Sequence, residues 1–549
     1  MLMVVQRALL LCLLVLSWLW PHTSGPVAAT EPYLVSVTAA ALLLALWPAG
    51  DVDRATRWAA WGWLAAAVLS SAIALLQYFN LEAPFHPFIN IADPGQAFGN
   101  LRQPNQLASL LVIGLLALRW LVQAGRLAFN RAIEMGVLLV LALAATASRA
   151  GLVELLACGA LALWWAWGAR QPQRARRTFM VTGMGVGAVV LVYALAALAL
   201  PWVAQSTEGV AGRNMLDRLQ HAESTCGSRL ILWRNVLHLM AQKPWTGWGW
   251  GELDYAHFMT LYDGPRFCHI LDNAHNLPLH LAVELGVPVA LAACAAAAWL
   301  IWRGKPWAEQ QPTRQLAWGV LLAIGIHSLV EYPLWYGPFQ IATAIGVWLL
   351  WVTRGATPQA AGQAAASDGA WLKAQRPRRA LPVWRGAVAT AMLAAAAYAG
   401  WDYHRISQVY LAPENRSAAY RDAPMQHAER SWLFADSVRF AQITSRPVTR
   451  DNAAWMLPHA LLALHFSPEP NVVTRVIESA TYLGLDDLAM AHLARFAAAF
   501  AHEHQAWMAG NVQQVEAARA KQAADSGAAS ATAPEALASG VVAGASAAP

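Results

Sequence analysis

Long apolar runs separated by short polar connections occupy positions 5–401 of the chain. The runs are unbroken stretches of Leu, Ala and Val, without the apolar–polar alternation of a half-buried strand, so they predict helices. About eleven are read as membrane spans: 5–20, 34–47, 58–79, 107–122, 133–146, 152–167, 179–202, 277–302, 316–330, 339–352 and 384–401. Inside a bilayer every backbone N–H and C=O needs a partner from the chain itself, which leaves helices or closed barrels. The expected fold class is an all-α polytopic membrane protein. The first run follows Arg7 and has a short apolar core, so it also reads as a signal sequence.

Beyond the last run the pattern changes. Residues 404–513 mix Ala, Arg, His and aromatics at helical spacing, as in 453–465, 473–483 and 488–500. The expected division is a membrane domain over 1–402 with a large outer loop at 203–275, a helical C-terminal domain over 403–515, and an Ala/Ser/Gly-rich tail over 516–549 that should be disordered. The similar segment 358–370 reads as a flexible linker.

Composition agrees with the pattern. The 549 residues are 57% hydrophobic and 13% charged, whereas soluble domains carry about 25% charge. Many of the 28 Trp flank the apolar runs, as in an interfacial aromatic belt. The net charge of +6 is then a topology signal, and nucleic acid is not an expected partner. Cytoplasmic connections of membrane proteins are enriched in Lys and Arg. Arg54/Arg57, Arg119/Arg126/Arg131, Arg170/Arg174/Arg176/Arg177, Arg303/Lys305/Arg314 and Arg354/Lys373/Arg376/Arg378/Arg379 fall on alternate connections. Placing them in the cytoplasm sends 21–32, 80–105, 148–151, 202–275, 331–338 and the C-terminal segment to the other side. All the unusual polar chemistry then shares one face.

Arg149 and Glu331 sit at membrane ends, where a charge pairs, serves a polar cavity, or snorkels to the headgroups. Cys12, Cys158 and Cys294 lie within runs, while Cys226 and Cys268 share the large loop. A Cys226–Cys268 bridge, expected in an oxidising compartment, would draw Arg229 towards His275. His269, Asp272, His275 and His280 match no standard zinc spacing, so neither metal nor cofactor is expected.

Four segments together resemble a known family. They are 98–108 (FGNLRQPNQLA); Ser148-Arg149-Ala150-Gly151; Ser228-Arg229 followed by Trp233 and Pro244…Gly247-Trp248-Gly249; and His275-Asn276 followed by Gly286. Val289 departs from the Gly, Thr or Tyr usual three residues after that glycine. The chain resembles the O-antigen ligase/polymerase superfamily of bacterial membrane glycosyltransferases, and within it the PglL-type protein O-oligosaccharyltransferases. The resemblance implies a GT-C-like bundle in the inner membrane. It implies transfer of a preassembled glycan from undecaprenyl pyrophosphate to Ser or Thr hydroxyls of exported proteins, on the periplasmic face and without a metal.

Such chemistry needs cations for a leaving pyrophosphate and a base for a hydroxyl. Arg149 and Arg229 are the expected pyrophosphate ligands and His275 the group acting on the acceptor. Arg102, Gln103, Gln106, Arg234, Tyr332 and Tyr336 are expected to bind substrate, with Arg213, Arg218 and Arg266 in reserve. Trp245, Trp248, Trp250 and Tyr255 could stack on sugars or anchor at the interface. The competing readings are an O-antigen ligase acting on lipid A–core, a glycan polymerase, a transporter or flippase, and a structural scaffold. A transporter would carry polar residues and broken helices near the bilayer midplane.

Overall fold

The structure, a computed structural model, describes residues 2–168, 172–208, 226–354, 383–511 and 513. The segments 358–370 and 516–549, and Arg213 and Arg218, lie outside the described residues. Among the described residues the secondary structure is helical, with no strand.

Each apolar run lies on a helix. They are α1 (Leu2–Leu19), α2 (Thr30–Leu46), α3 (Val52–Tyr78), α4 (Pro104–Gln123), α5 (Phe129–Ala145), α6 (Arg149–Trp167) and α7 (Pro172–Glu208). After the large loop come α10 (Leu277–Leu285), α11 (Val287–Gly304), α12 (Pro312–His327), α13 (Gly337–Val352) and α14 (Val383–Ser407). Five apolar helices reach spanning length, over Val52–Tyr78, Pro104–Gln123, Arg149–Trp167, Arg176–Ser206 and Val287–Ala308. The other runs fall on helices shorter or less apolar by that measure, so length and composition alone do not establish eleven spans. The run 277–302 is two helices, because the chain breaks at Gly286.

The bundle core is built on α3 and α4. Ala59, Ala60, Ala66, Ala67 and Ala74 of α3 are fully buried, as are Leu107, Leu110 and Ile113 of α4. Small residues let helix backbones approach closely where lipid supplies no hydrophobic drive. Leu10, Leu14 and Trp18 of α1 belong to this core, so the first helix packs as a bundle member. By contrast α7 and α11 expose apolar faces, among them Leu191, Leu195, Leu291 and Leu300.

The expected large loop has a folded core of its own. It contains α8 (Arg229–Gln242) and α9 (Leu253–Met259), and buries Leu232, Val236, Leu239, Leu253 and Phe267 together with Val283 of α10. Cys226 and Cys268 are bridged. The 244–249 segment clamps the α10–α11 break: Trp248 N donates to Val283 O (2.9 Å), Gly249 N to Glu284 O (3.0 Å) and Val287 N to Pro244 O (2.9 Å). Gly247 and Gly286 have φ of +68° and +90°, and a Cβ on either would lie within 2.3 Å of the other segment's backbone. That contact is why glycine stands at both positions.

The C-terminal helices are α15 (Pro424–Ala428), α16 (Ala435–Thr444), α17 (Ala453–Ala463), α18 (Pro470–Tyr482) and α19 (Asp486–Ala499). Their core of Met456, Val476, Ile477 and Phe496 also contains Phe258 from α9. Arg495 Nε donates to Met259 O (3.0 Å), and His465 Nδ1 lies 2.7 Å from Glu252 Oε2. The large loop and the C-terminal helices therefore lie on the same side of the bundle.

Candidate active site

The two Ser-Arg pairs are the same local structure used twice. Ser148 caps α6, its Oγ accepting from Gly151 N at 3.0 Å, and Ser228 caps α8, accepting from Ile231 N at 3.3 Å. In each, the arginine is the first helical residue. Asn276 caps α10 in the same way, accepting from Leu279 N at 3.0 Å, and His275 immediately precedes it. A serine or asparagine side chain satisfies an N–H that the first turn leaves without a partner. The positive end of each helix dipole also lies there.

These helix starts meet at Glu331, whose side chain is only 4% exposed. Oε1 accepts from Arg229 Nη2, and Oε2 lies 2.7 Å from His275 Nδ1. Gln103 Nε2 (3.2 Å) and Asn105 Nδ2 (3.3 Å), at the start of α4, complete the set of donors. Ser148 Oγ donates to Asn105 Oδ1 (2.7 Å), which ties the start of α6, with Arg149 next in sequence, to the same network. The starts of α4, α6, α8 and α10 are thus joined around one carboxylate. Burial pushes the Glu331 carboxyl up, but the His275 hydrogen bond and the positive neighbours outweigh it and hold the group below its ordinary value.

An ionised carboxylate only accepts, so the shared hydrogen is on His275 Nδ1, and a neutral ring held this way has its lone pair on Nε2. His275 has φ +49°, left-handed backbone that is rare for a residue with a side chain. Asn273 Oδ1 stabilises it by accepting from His275 N at 2.9 Å. The side chains of Arg229 and His275 are 32% and 16% exposed, so they face outward while Glu331 is sealed behind them.

Tyr332 stands edge-on to the His275 ring, centroids 4.9 Å apart, and stacks loosely on Tyr336 at 5.8 Å. Gln103, Gln106 and Tyr336 line an adjoining, mostly apolar cavity of about 610 Å³, whose far wall includes Leu433 and Phe434. Other expected site residues are engaged elsewhere. Arg102 lines the cavity rim, but its guanidinium binds Pro21 O and Asn90. Arg234 is exposed on α8, about 140° around the helix from Arg229. Arg266 donates to Thr260 O and His257 O, both at 2.8 Å, and so is scaffolding. Trp248 lies under Lys243 and bonds Leu239 O, and Tyr255 stacks on His465, whereas Trp245 and Trp250 are exposed. Among the described residues no group of acidic, His and Cys side chains has the spacing of a metal site.

Sequence reasoning weighed Glu331 as a membrane-end charge but did not place it in the site. It missed Asn105, and below it Ser109, Glu154 and His327. The readable signal was Glu154 and His327, ionisable residues inside apolar helices.

Comparisons with known proteins match three segments of the chain. A family model described as protein glycosylation ligase matches residues 97–122, which contain Gln103 and Asn105. One described as O-antigen ligase matches 135–294, which contain Arg149, Arg229 and His275. One described as virulence factor membrane-bound polymerase, C-terminal, matches 315–515, which contain Glu331 and the C-terminal helices. The chain is 27% identical over 284 residues to a general O-oligosaccharyltransferase of Acinetobacter baylyi. That alignment covers 50% of this chain and 47% of the relative, about half the length of each. Each of the three matched segments supplies part of the network around Glu331, and by these matches the chain is similar to O-antigen ligases and, within them, to protein glycosylation ligases and a general O-oligosaccharyltransferase.

Proposed function

We propose that the protein is a metal-independent oligosaccharyltransferase of the bacterial inner membrane. It transfers a preassembled glycan from undecaprenyl pyrophosphate to Ser or Thr hydroxyls of periplasmic or exported proteins. The observation that carries this reading is the meeting of Arg229, His275 and four helix starts at Glu331. Four positive dipole ends and an arginine fork suit a pyrophosphate dianion. Arg149, at the start of α6, is the second arginine assigned to the donor. The acceptor oxygen attacks the anomeric carbon, the bond to the pyrophosphate oxygen breaks, and the hydroxyl proton passes to His275 Nε2. Glu331 holds the ring in the tautomer that can take it and stabilises the imidazolium. Gln103, Gln106, Tyr332 and Tyr336 line the approach to His275, Arg234 is left for more distant parts of the substrate, and Arg102 is held by Pro21 O and Asn90 at the cavity rim.

In this reading the eleven apolar runs span the membrane, the run 277–302 doing so with a break at Gly286. The loop 203–275 and the C-terminal domain 403–515 face the periplasm, where the Cys226–Cys268 bridge is stable. The shared core of loop and C-terminal helices supports a common side for both. The test is to incubate purified protein with lipid-linked glycan and, separately, an exported acceptor protein and lipid A–core. Sugar on the protein, surviving exhaustive chelation, is the expected result. Sugar on lipid A–core alone would make the chain an O-antigen ligase, and loss with chelator, restored by a divalent ion, would overturn metal independence.

A further inference from the structure

One turn deeper than the Glu331 network lies a second polar layer that the proposed reaction does not use. Ser109 of α4, Glu154 of α6 and His327, the last residue of α12, are each no more than 0% exposed. Ser109 Oγ donates to Glu154 Oε1 at 2.8 Å and lies 2.8 Å from His327 Nδ1. Ser109 Oγ also lies 3.2 Å from Asn105 O, so this hydroxyl links Glu154, His327 and the α4 backbone. Glu154 Oε2 and His327 Nε2 have no hydrogen-bond partner among the described residues. A buried layer left partly unsatisfied is a liability to stability, and an apolar trio of similar volume would be at least as stable.

The three residues sit about one turn deeper than Asn105, the Ser148-Arg149 pair and Glu331 on their own segments. Ser109 follows Asn105 by one helical turn, and Glu154 follows Ser148 and Arg149 by little more than one. His327 O accepts from Glu331 N at 2.9 Å. The same end of α12 holds the start of α10, where Leu277 N donates to Ser328 O (2.8 Å) and Asn276 Nδ2 to Leu329 O (2.9 Å). Apolar helices in lipid have little to fix their rotation about one another, because lipid tails and Leu are equivalent neighbours. Directional bonds can fix it. A rotation by one residue is about 100° and would carry Asn105 away from Glu331.

We infer that Ser109, Glu154 and His327 are positioning residues. They lock the rotation and height of α4, α6 and α12, so that Glu331 meets His275, Arg229 and Asn105 together. The inference rests on the proposed transfer reaction for its activity readout, and on His275 geometry for a second readout that does not.

The experiment compares wild type, the triple variant Ser109→Ala/Glu154→Met/His327→Leu, and Glu154→Gln, each purified in detergent and matched for folded protein by thermal unfolding. The triple variant should unfold at or above the wild-type temperature, yet lose at least about tenfold in kcat with donor KM within about twofold. Its His275, no longer held on Glu331, should change its rate of diethyl pyrocarbonate modification, read on the His275 peptide, by at least about threefold. Glu154→Gln, whose amide oxygen still accepts from Ser109, should behave as wild type in both readouts. Wild-type rates in the triple variant, a Gln variant as defective as the triple, or losses that follow lowered stability would each overturn the inference. Absence of transfer by wild type would sink the proposed reaction, while the His275 modification rates would still decide this one.

Discussion

Glu331→Gln separates positioning of the base from binding of the donor. The carboxylate serves Arg229 and Asn105 on one oxygen and His275 and Gln103 on the other. An amide has one acceptor. If that oxygen stays on Arg229, the NH₂ faces His275 Nδ1, which must then give up its hydrogen to Nε2, the atom assigned to take the acceptor proton. A hydrogen bond to a charged group contributes about 1.5–3 kcal/mol. At about 1.4 kcal/mol per decade, losing it in the transition state lowers kcat between about tenfold and about 150-fold. Donor binding should move the other way. Removing a negative charge beside Arg229 leaves the site more positive, so KM for the lipid-linked donor should stay level or fall. The assay is a donor titration at saturating acceptor with purified protein. A raised donor KM with unchanged kcat would refute the reasoning, because it would make Glu331 a donor-side group.

His275→Asn keeps a polar residue well suited to a helix start, so it should fold normally and retain under about 1% of transfer; substantial activity at matched expression would reduce His275 to a structural role. Gly286→Ala places a Cβ against Trp245 O and should destabilise the loop by more than about 2 kcal/mol, read as a lower unfolding temperature; an unchanged one would mean the clamp is loose. Opening the Cys226–Cys268 bridge with Cys226→Ser releases a closed stretch with a sequence separation of 42, worth about 4 kcal/mol in chain entropy, so wild-type stability in that variant would refute the estimate. Burial raises the Asp254 carboxyl to about 7, so native Asp254 keeps its proton where the unfolded chain has lost it. Stability therefore falls as pH rises from about 4 to about 7, and Asp254→Asn should raise the unfolding temperature at pH 8 but not at pH 4.

The apolar helices were readable because their signal is local, whereas the starts at Arg149 and Arg229 were not marked. Ser148, Ser228 and Asn276 cap the helices they precede, and the apolar runs mark the helices themselves. The site was half readable. Arg229 and His275 stand in recognisable segments, but the residue that joins them does not. Glu331 lies 102 positions from Arg229, 56 from His275 and 228 from Gln103, so no window of sequence contains the pairing. The break at Gly286 was missed because Leu277–Leu285 and Val287–Gly304 are both apolar and hydropathy runs straight through. Only the approach of Gly247 reveals it. Arg102 and Arg266 looked like spare cations, yet both are committed to carbonyl oxygens, a distinction that charge counting cannot make.

The burial of Phe258 among residues of 443–500 has a consequence for biosynthesis. A chain emerging from the ribosome presents its early segments first. Here the fold that carries Arg229 and His275 lacks one wall until the last helices have been made and brought to the same side. A product terminated after α14 would leave that aromatic and its neighbours Tyr255 and Met259 bare. The C-terminal helices thereby complete the packing around the loop that carries Arg229 and His275, and that packing forms only after they have been made.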